Sequence, residues 1–210
     1  MTRLRERLLN DVGVAVGRGN ARAKILTAAI DTFAKNGVAA TRVEDILVAA
    51  DLSRRTFYQH FTDKLAVVHA IYELVTRQLA ETFIAASAGA TDPMTAILRS
   101  LDAYLEIHRT DRAIVKALIE ESLHASSPLF AIRAQFRRQI AAALDMALES
   151  VTRRQIDPLV SLALVSALEG ISLELLDEDI SDDTIARSRA VIASLIRLVF
   201  AHPDGLPPRR

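Results

Sequence analysis

Residues Arg42 to Lys64 read RVEDILVAADLSRRTFYQHFTDK, and their apolar spacing predicts two short amphipathic helices with a tight break at Asp51-Leu52-Ser53. Val43, Ile46, Leu47 and Ala50 recur at three- and four-residue steps and make the buried face of the first. Ser53 is an N-cap for the second, in which Phe57 and Phe61 point inward. That second helix carries Arg54 and Arg55 in its first turn, with Thr56, Tyr58, Gln59 and His60 close behind. Such side chains donate to phosphates and base edges, and a rigid support would present them together. The pattern is that of a helix-turn-helix over residues 42–61, whose second helix enters a DNA groove.

The bulk composition must allow that reading. Half of the 210 residues are apolar, aromatics are few, and glycine and proline number only 7 and 6. A chain rich in alanine, leucine and isoleucine with so few breakers is expected to be all-α, with a substantial core. No cysteine is present, which excludes disulfides and thiolate metal sites and suits a reducing cytoplasm. The start of the chain has no apolar signal-peptide core, since Arg3, Arg5, Glu6, Arg7 and Asp11 interrupt it. The most apolar run, Leu159–Leu176, contains Glu169 and Glu174, so a buried helix is expected there and no membrane span. Net charge is zero overall, but residues 1–64 hold eight arginines and three lysines against seven acids. A basic head on an acidic body is consistent with a local DNA contact.

Outward from the opening stretch, helix signals follow one another. A helix from Ala21 ends at Asn36-Gly37, glycine being the usual left-handed cap. Thr41 and Glu44 form a capping box for the next helix. Asp63 caps a long helix in which Leu65, Val68, Tyr72, Val75, Leu79, Phe83 and Ala86 recur at helical steps. At ~1.5 Å per residue it spans roughly 35 Å. Asp92-Pro93, Ser127-Pro128 and Asp157-Pro158 are caps followed by a proline at the first helical position. Asp111 and Ser181 or Asp182 start two more helices. The total is nine helices, with residues 1–19 as an N-terminal extension and 203–210 as a loose tail. Arg3, Arg5 and Arg7 either lie on a frayed end or form an arm for an adjacent minor groove.

The sequence of Gly37, Thr41, VEDI, Leu52-Ser53, Thr56-Phe57-Tyr58, His60-Phe61 and Lys64-Leu65 resembles the TetR-type transcriptional regulators, over about residues 20–80. Two positions depart from the family pattern. Leu47 stands where a small alanine is usual, and Asp51 where glycine usually makes the turn. Aspartate tolerates the left-handed conformation better than most residues, which preserves the turn. The resemblance implies a nine-helix architecture, with a three-helix DNA-binding domain at 20–80 and a ligand-binding and dimerisation domain at 81–202. It further implies a homodimer on double-stranded DNA with a palindromic operator, and repression that a small molecule relieves. Among the candidate DNA contacts, Thr41, Tyr58, His60 and Lys64 would grip phosphates. Arg54, Arg55, Thr56 and Gln59 would read base edges, with Arg42 and Ser53 at the helix starts beside them. The alternative is an architectural or partner-regulated DNA-binding protein without a small ligand.

For the effector, Phe83, Tyr104, Phe130 and Met146 are candidate apolar wall, and His108, Glu120 and His124 candidate polar anchors. Together they suggest an apolar or amphipathic molecule of unknown identity. For the dimer, Leu162, Val165, Leu168, Gly170 and Leu173 on one helix and Ile192, Leu195 and Val199 on the last would form a four-helix interface with a symmetry mate. No enzyme, cofactor, metal or membrane partner is expected. Glu120, Glu121 and His124 contain one Glu-x-x-His step where di-iron bundles need two. Asp177, Asp179, Ser181 and Asp183 imitate a calcium loop, but its sixth position is Asp182 and its twelfth Ser188, so the ligand pattern fails.

Overall fold

The computed structural model describes residues 6–8, 10, 20–176 and 181–209. From Asn20 onward these form α1 (Ala21–Ala40), α2 (Val43–Ala50), α3 (Arg54–Tyr58), α4 (Lys64–Ser87), α5 (Pro93–Thr110), α6 (Arg112–Leu123), α7 (Pro128–Thr152), α8 (Leu159–Glu174) and α9 (Asp182–Ala201), then a 3-10 turn, Pro203–Gly205. The protein is all-α, as its composition predicts. Glu6, Arg7 and Leu8 are also helical, and Leu8 is fully buried. Arg3 and Arg5 of the expected arm, and Asp177 and Asp179 of the acidic connection, lie outside the described residues.

Local chemistry sets most helix ends where the sequence places them. The Asn20 side chain accepts from the Arg22 N–H at 2.9 Å, Asp63 from Ala66 at 2.8 Å and Asp92 from Thr95 at 2.9 Å. Asp157 accepts from Leu159 at 2.9 Å, and Ser181 from Thr184 at 3.2 Å. Each satisfies a donor that the first turn leaves open. The bonds at Asp92 also hold its carboxyl below the usual range, the Thr95 N–H contributing most.

The capping box before α2 departs from expectation by one residue. Arg42, not Thr41, is the N-cap, and the Asp45 carboxylate, not Glu44, accepts from its N–H at 2.7 Å. The Thr41 hydroxyl donates backward instead, to the Gly37 carbonyl at 2.7 Å. Gly37 itself has φ +76° with an extended ψ of 163°, a region that only glycine occupies without strain. It kinks α1 and lets Val38–Ala40 carry one further turn.

The chain divides into two compact units, Met1–Ala80 with Thr110–Ile132, and Glu81–Arg109 with Arg133–Arg210. In the first, α1 packs against α2, α3 and α6 through fully buried Ile25, Ile30, Phe33, Ile46 and Phe57. Residues 110–132, assigned by sequence to the second domain, thus belong to the first unit: Ile114 and Leu118 are almost fully buried in it. In α4, Leu65 is exposed while Val67, Val68 and Ile71 are buried, so the buried stripe starts slightly later in phase than the sequence suggests.

The second unit is built around Leu101, Leu105, Leu148, Ile156, Leu175, Ile192, Ile196 and Phe200. Its C-terminal tail is not loose. Asp157 N–H donates to the Pro207 carbonyl at 2.8 Å and Arg209 N–H to that of Gln155 at 3.0 Å. Arg154 pairs with Asp204, and Leu206 packs against the core. The tail's prolines restrict the backbone, and the loop before α8 supplies the partners that its free N–H and C=O groups need.

Candidate nucleic-acid interface and apolar cavity

The turn before α3 carries the unusual residue of the pair noted in the sequence. Asp51 adopts φ 52°, ψ 54°, the left-handed conformation, and its N–H caps the end of α2. Leu47 is buried, while Val48 beside it is 83% exposed, so the larger side chain is absorbed by the core. Ser53 caps α3 by accepting from the Thr56 N–H at 3.2 Å. Phe57 is fully buried, edge-on to Tyr58 with ring centroids 5.3 Å apart. Phe61 lies beside it, with the Arg22 guanidinium 4.5 Å above the Phe61 ring. These contacts anchor a helix too short to be stable alone.

What α3 shows to solvent is polar. Arg54, Arg55, Tyr58 and Gln59 are exposed, as are Arg42 and Ser53, and His60 is half-buried. Arg54 pairs with Glu44 of α2. The Glu44 carboxyl is held below its usual range, first by a hydrogen bond at its own helix start and then by Arg54. Sequence reasoning did not assign Glu44 any role at this surface, although a carboxylate on the adjacent helix face was visible in VEDI.

Three expected contacts need correction. Thr41 is buried, and its hydroxyl is taken by Gly37, so it is not placed to grip a phosphate. Thr56 is half-buried with its hydroxyl 2.9 Å from that of Ser53, which makes it part of the cap. Lys64 is turned inward: its ammonium donates to the carbonyls of Val38 at 2.6 Å, Thr41 at 2.7 Å and Ala39 at 3.3 Å. An ammonium has three donors, and all three are occupied closing the end of α1. The spacing of Lys64 from α3 fitted a phosphate contact; the carbonyls left open by the Gly37 kink are nearer.

The second unit holds a half-open cavity of about 500 Å³. Its walls come from the end of α4 (Phe83, Ile84, Ser87), from α5 (Ile97, Ser100, Leu101, Tyr104), α7 (Ile140, Leu144, Met146), α8 (Leu164, Val165, Leu168) and α9 (Ile192, Ile196). No charged side chain lines it. Of the seven residues expected from sequence at an effector site, Phe83, Tyr104 and Met146 line this cavity. Glu120, His124 and Phe130 do not; they are exposed residues of the first unit. His108 is buried one turn beyond Tyr104, ring centroids 4.3 Å apart, and is absent from the wall. Its Nδ1 lies 3.0 Å from the Tyr104 carbonyl, which can only accept, so in the neutral ring Nδ1 carries the proton. Burial holds its pKa below the usual value. Most of the wall is aliphatic at ordinary helical spacing, indistinguishable in sequence from core.

The expected dimer residues also divide. Val165 and Ile192 are buried and, with Leu168, face the cavity, so they do not lie on an outer face. Leu162, Leu173 and Val199 are half-buried; Gly170 and Leu195 are exposed. The heptad count on α9 mixes two faces, since Ile192 is buried and Leu195 is exposed. A second apolar stripe, Val191, Leu195 and Leu198, is exposed on the same helix, as are Leu159, Ala163, Ser166 and Gly170 on α8.

A five-residue helix that turns its phenylalanine inward and its arginines outward is shaped for a groove, and it places the chain among helix-turn-helix DNA-binding proteins. Residues 25–71 match the family model of the bacterial regulatory proteins, tetR family. That match spans the helix-turn-helix head. Solved structures extend the fold likeness to nearly the whole chain. A TetR-family regulator from Streptomyces coelicolor is 15% identical with a TM-score of 0.71, over 92% of this chain and 94% of its own. One from Rhodococcus RHA1 is 23% identical, TM-score 0.65, over 87% and 96%. A Clostridium perfringens protein assigned to the regulation of fatty acid metabolism is 20% identical, TM-score 0.65, over 82% and 96%. No curated protein matches the sequence. Among the described residues, no helix is long and apolar enough to cross a membrane, and no group of three or more His, Asp or Glu could hold a metal.

Proposed function

We propose that the protein is a dimeric transcriptional repressor that binds a palindromic operator in the cytoplasm and is released by a small apolar or amphipathic ligand. The observation that carries this reading is the cavity. A half-open, almost wholly apolar cavity of about 500 Å³ leaves apolar surface facing water that an apolar ligand would cover. It lies within the ~300–1,000 Å³ range of small-molecule sites. An architectural DNA-binding protein has no use for such a space, which is why that alternative ranks second. The metabolic assignment of the Clostridium relative accords with an apolar effector.

The DNA half of the proposal rests on Arg54, Arg55, Tyr58 and Gln59, exposed on α3. The dimer half rests on the outer apolar stripes of α8 and α9, which water would otherwise cover. A ligand acts only through its different affinity for DNA-competent and released states. Footprinting of the DNA upstream of the protein's own gene tests the reading. Two protected half-sites, one or more helical turns apart, are expected, and protection should weaken when a bound metabolite is added. Uniform protection without sequence preference would sink the proposal.

A further inference from the structure

We propose that the cavity takes an amphipathic anion, a carboxylate whose apolar tail fills the space and whose headgroup is held by Arg133 and Arg137. The inference rests on the effector-site reading above and names the chemistry of that site. Three helices lead to it separately. On α7, Arg133 and Arg137 stand at helical steps of four, three and four with Ile140 and Leu144 of the wall, so all share one face, the arginines toward the helix start. On α8, Glu169 follows the wall residue Leu168, toward the helix end. On α5, Tyr104 is the last wall residue toward the helix end. Its hydroxyl donates to Ser172 at 3.0 Å, and the Ser172 hydroxyl donates to the Glu169 carbonyl at 2.8 Å. A cavity whose wall carries no charge therefore has charged groups gathered beyond one end.

Among the described residues the charges there do not balance. Arg133 and Arg137 approach the same oxygen of Glu169, at 3.2 and 3.6 Å. Their side chains are only 19% and 33% exposed, and that of Glu169 21%. Two guanidiniums thus share one carboxylate, and the buried Nε of Arg137 has no hydrogen-bond partner. A partly buried cation without a matching charge is costly. One further carboxylate would make the count two against two and give that Nε an acceptor, in the charge-assisted geometry that guanidinium favours. A cationic ligand would add to the surplus, and a neutral one would leave it.

Calorimetric titration of the full-length protein with decanoate, decanol and decylamine tests this. Decanoate should bind at least about tenfold more tightly than decanol, the size of one charge-assisted hydrogen bond, and decylamine more weakly than either. Arg137→Gln should abolish the preference for decanoate, bringing its affinity down to that of decanol. Glu169→Gln, which removes the competing carboxylate, should raise decanoate affinity, and it provides the reading if Arg137→Gln fails to fold. Equal binding of acid and alcohol, insensitive to both substitutions, overturns the anion site and leaves the cavity as an apolar effector site. If none of the three probes binds, the effector-site reading falls and the anion site with it.

Discussion

Arg54 and Arg55 on α3, and Arg133 and Arg137 on α7, are two arginine pairs in different surroundings, the first adjacent in sequence and the second one helical turn apart. Arg54 meets Glu44 where both side chains are more than half exposed. Water screens such a pair, its net contribution is small, and a DNA phosphate or base can replace the carboxylate at little cost. Arg133 and Arg137 meet Glu169 under partial burial, where an ion pair is less screened and a missing charge matters more. The first arrangement suits reversible exchange with a polyanion. The second suits recognition of one group at one place. Burial, rather than residue type, separates the two.

Substitutions can break this contrast or sharpen it. The largest effect is expected from Leu198→Asp, which puts a charge into the outer apolar stripe of α9. At about 3–5 kcal/mol for an uncompensated buried charge, association should weaken by roughly a thousandfold. Sedimentation would then show a monomer, and operator binding would fall with it. An unchanged dimer would move the interface elsewhere.

Next come the arginines themselves. Arg55→Ala should cost ~1–3 kcal/mol of base discrimination, read as relaxed sequence preference in a binding selection. Glu44→Gln should act oppositely on affinity, freeing Arg54 and steepening the salt dependence of DNA binding. If Glu44→Gln leaves both unchanged, the Arg54–Glu44 pair plays no part in recognition.

Lys64→Met should be felt in stability instead. Loss of three hydrogen bonds to backbone carbonyls is worth about 2 kcal/mol, visible as a lower melting temperature. The salt slope of DNA binding should stay the same, because the ammonium is directed inward. A shallower slope with unchanged stability would restore Lys64 as a phosphate contact.

The smallest expected effect concerns His108. Burial lowers its pKa in the folded state below the ordinary imidazole value of 6.5. The unfolded chain therefore takes up the proton first as pH falls. The stability that His108 contributes is fully present above about pH 6.5 and is lost as pH drops from there to the folded-state value. A pH series of melting temperatures should be flatter in this window for His108→Gln than for the parent protein. Parallel curves would remove the histidine from the account.

The helix-turn-helix was legible in the sequence because its constraints are local. A cap such as Ser53, a left-handed turn at Asp51 and buried positions at Ile46 and Phe57 are each fixed by residues a few places apart. The cavity was only partly legible. Phe83, Tyr104 and Met146 stand out as large, but Ile140, Leu144 and Leu164 have the spacing of plain core, and which of them face a void depends on how α5, α7, α8 and α9 meet. Arg133 and Arg137 left a signal that was not taken up: two charges four apart on a stripe that continues as Ile140 and Leu144. On α9 the heptad residues Ile192, Leu195 and Val199 fall on more than one side because that helix is apolar on two sides, and periodicity cannot rank two apolar faces. Lys64 misled for a different reason. Sequence gives its distance from α3 but not the direction of its side chain.

Lys64 also has a consequence for chemical reactivity. The chain has four lysines, Lys24, Lys35, Lys64 and Lys116, and an amine reacts with acylating reagents only when its nitrogen is accessible and deprotonated. With its nitrogen among the carbonyls of Val38, Ala39 and Thr41, Lys64 can react only while that junction is open. Its labelling rate would therefore follow the local opening of the α1–α2 connection, with no added probe. Acylation there would also trap the open junction, since an acylated nitrogen keeps only one N–H for the three carbonyls it left.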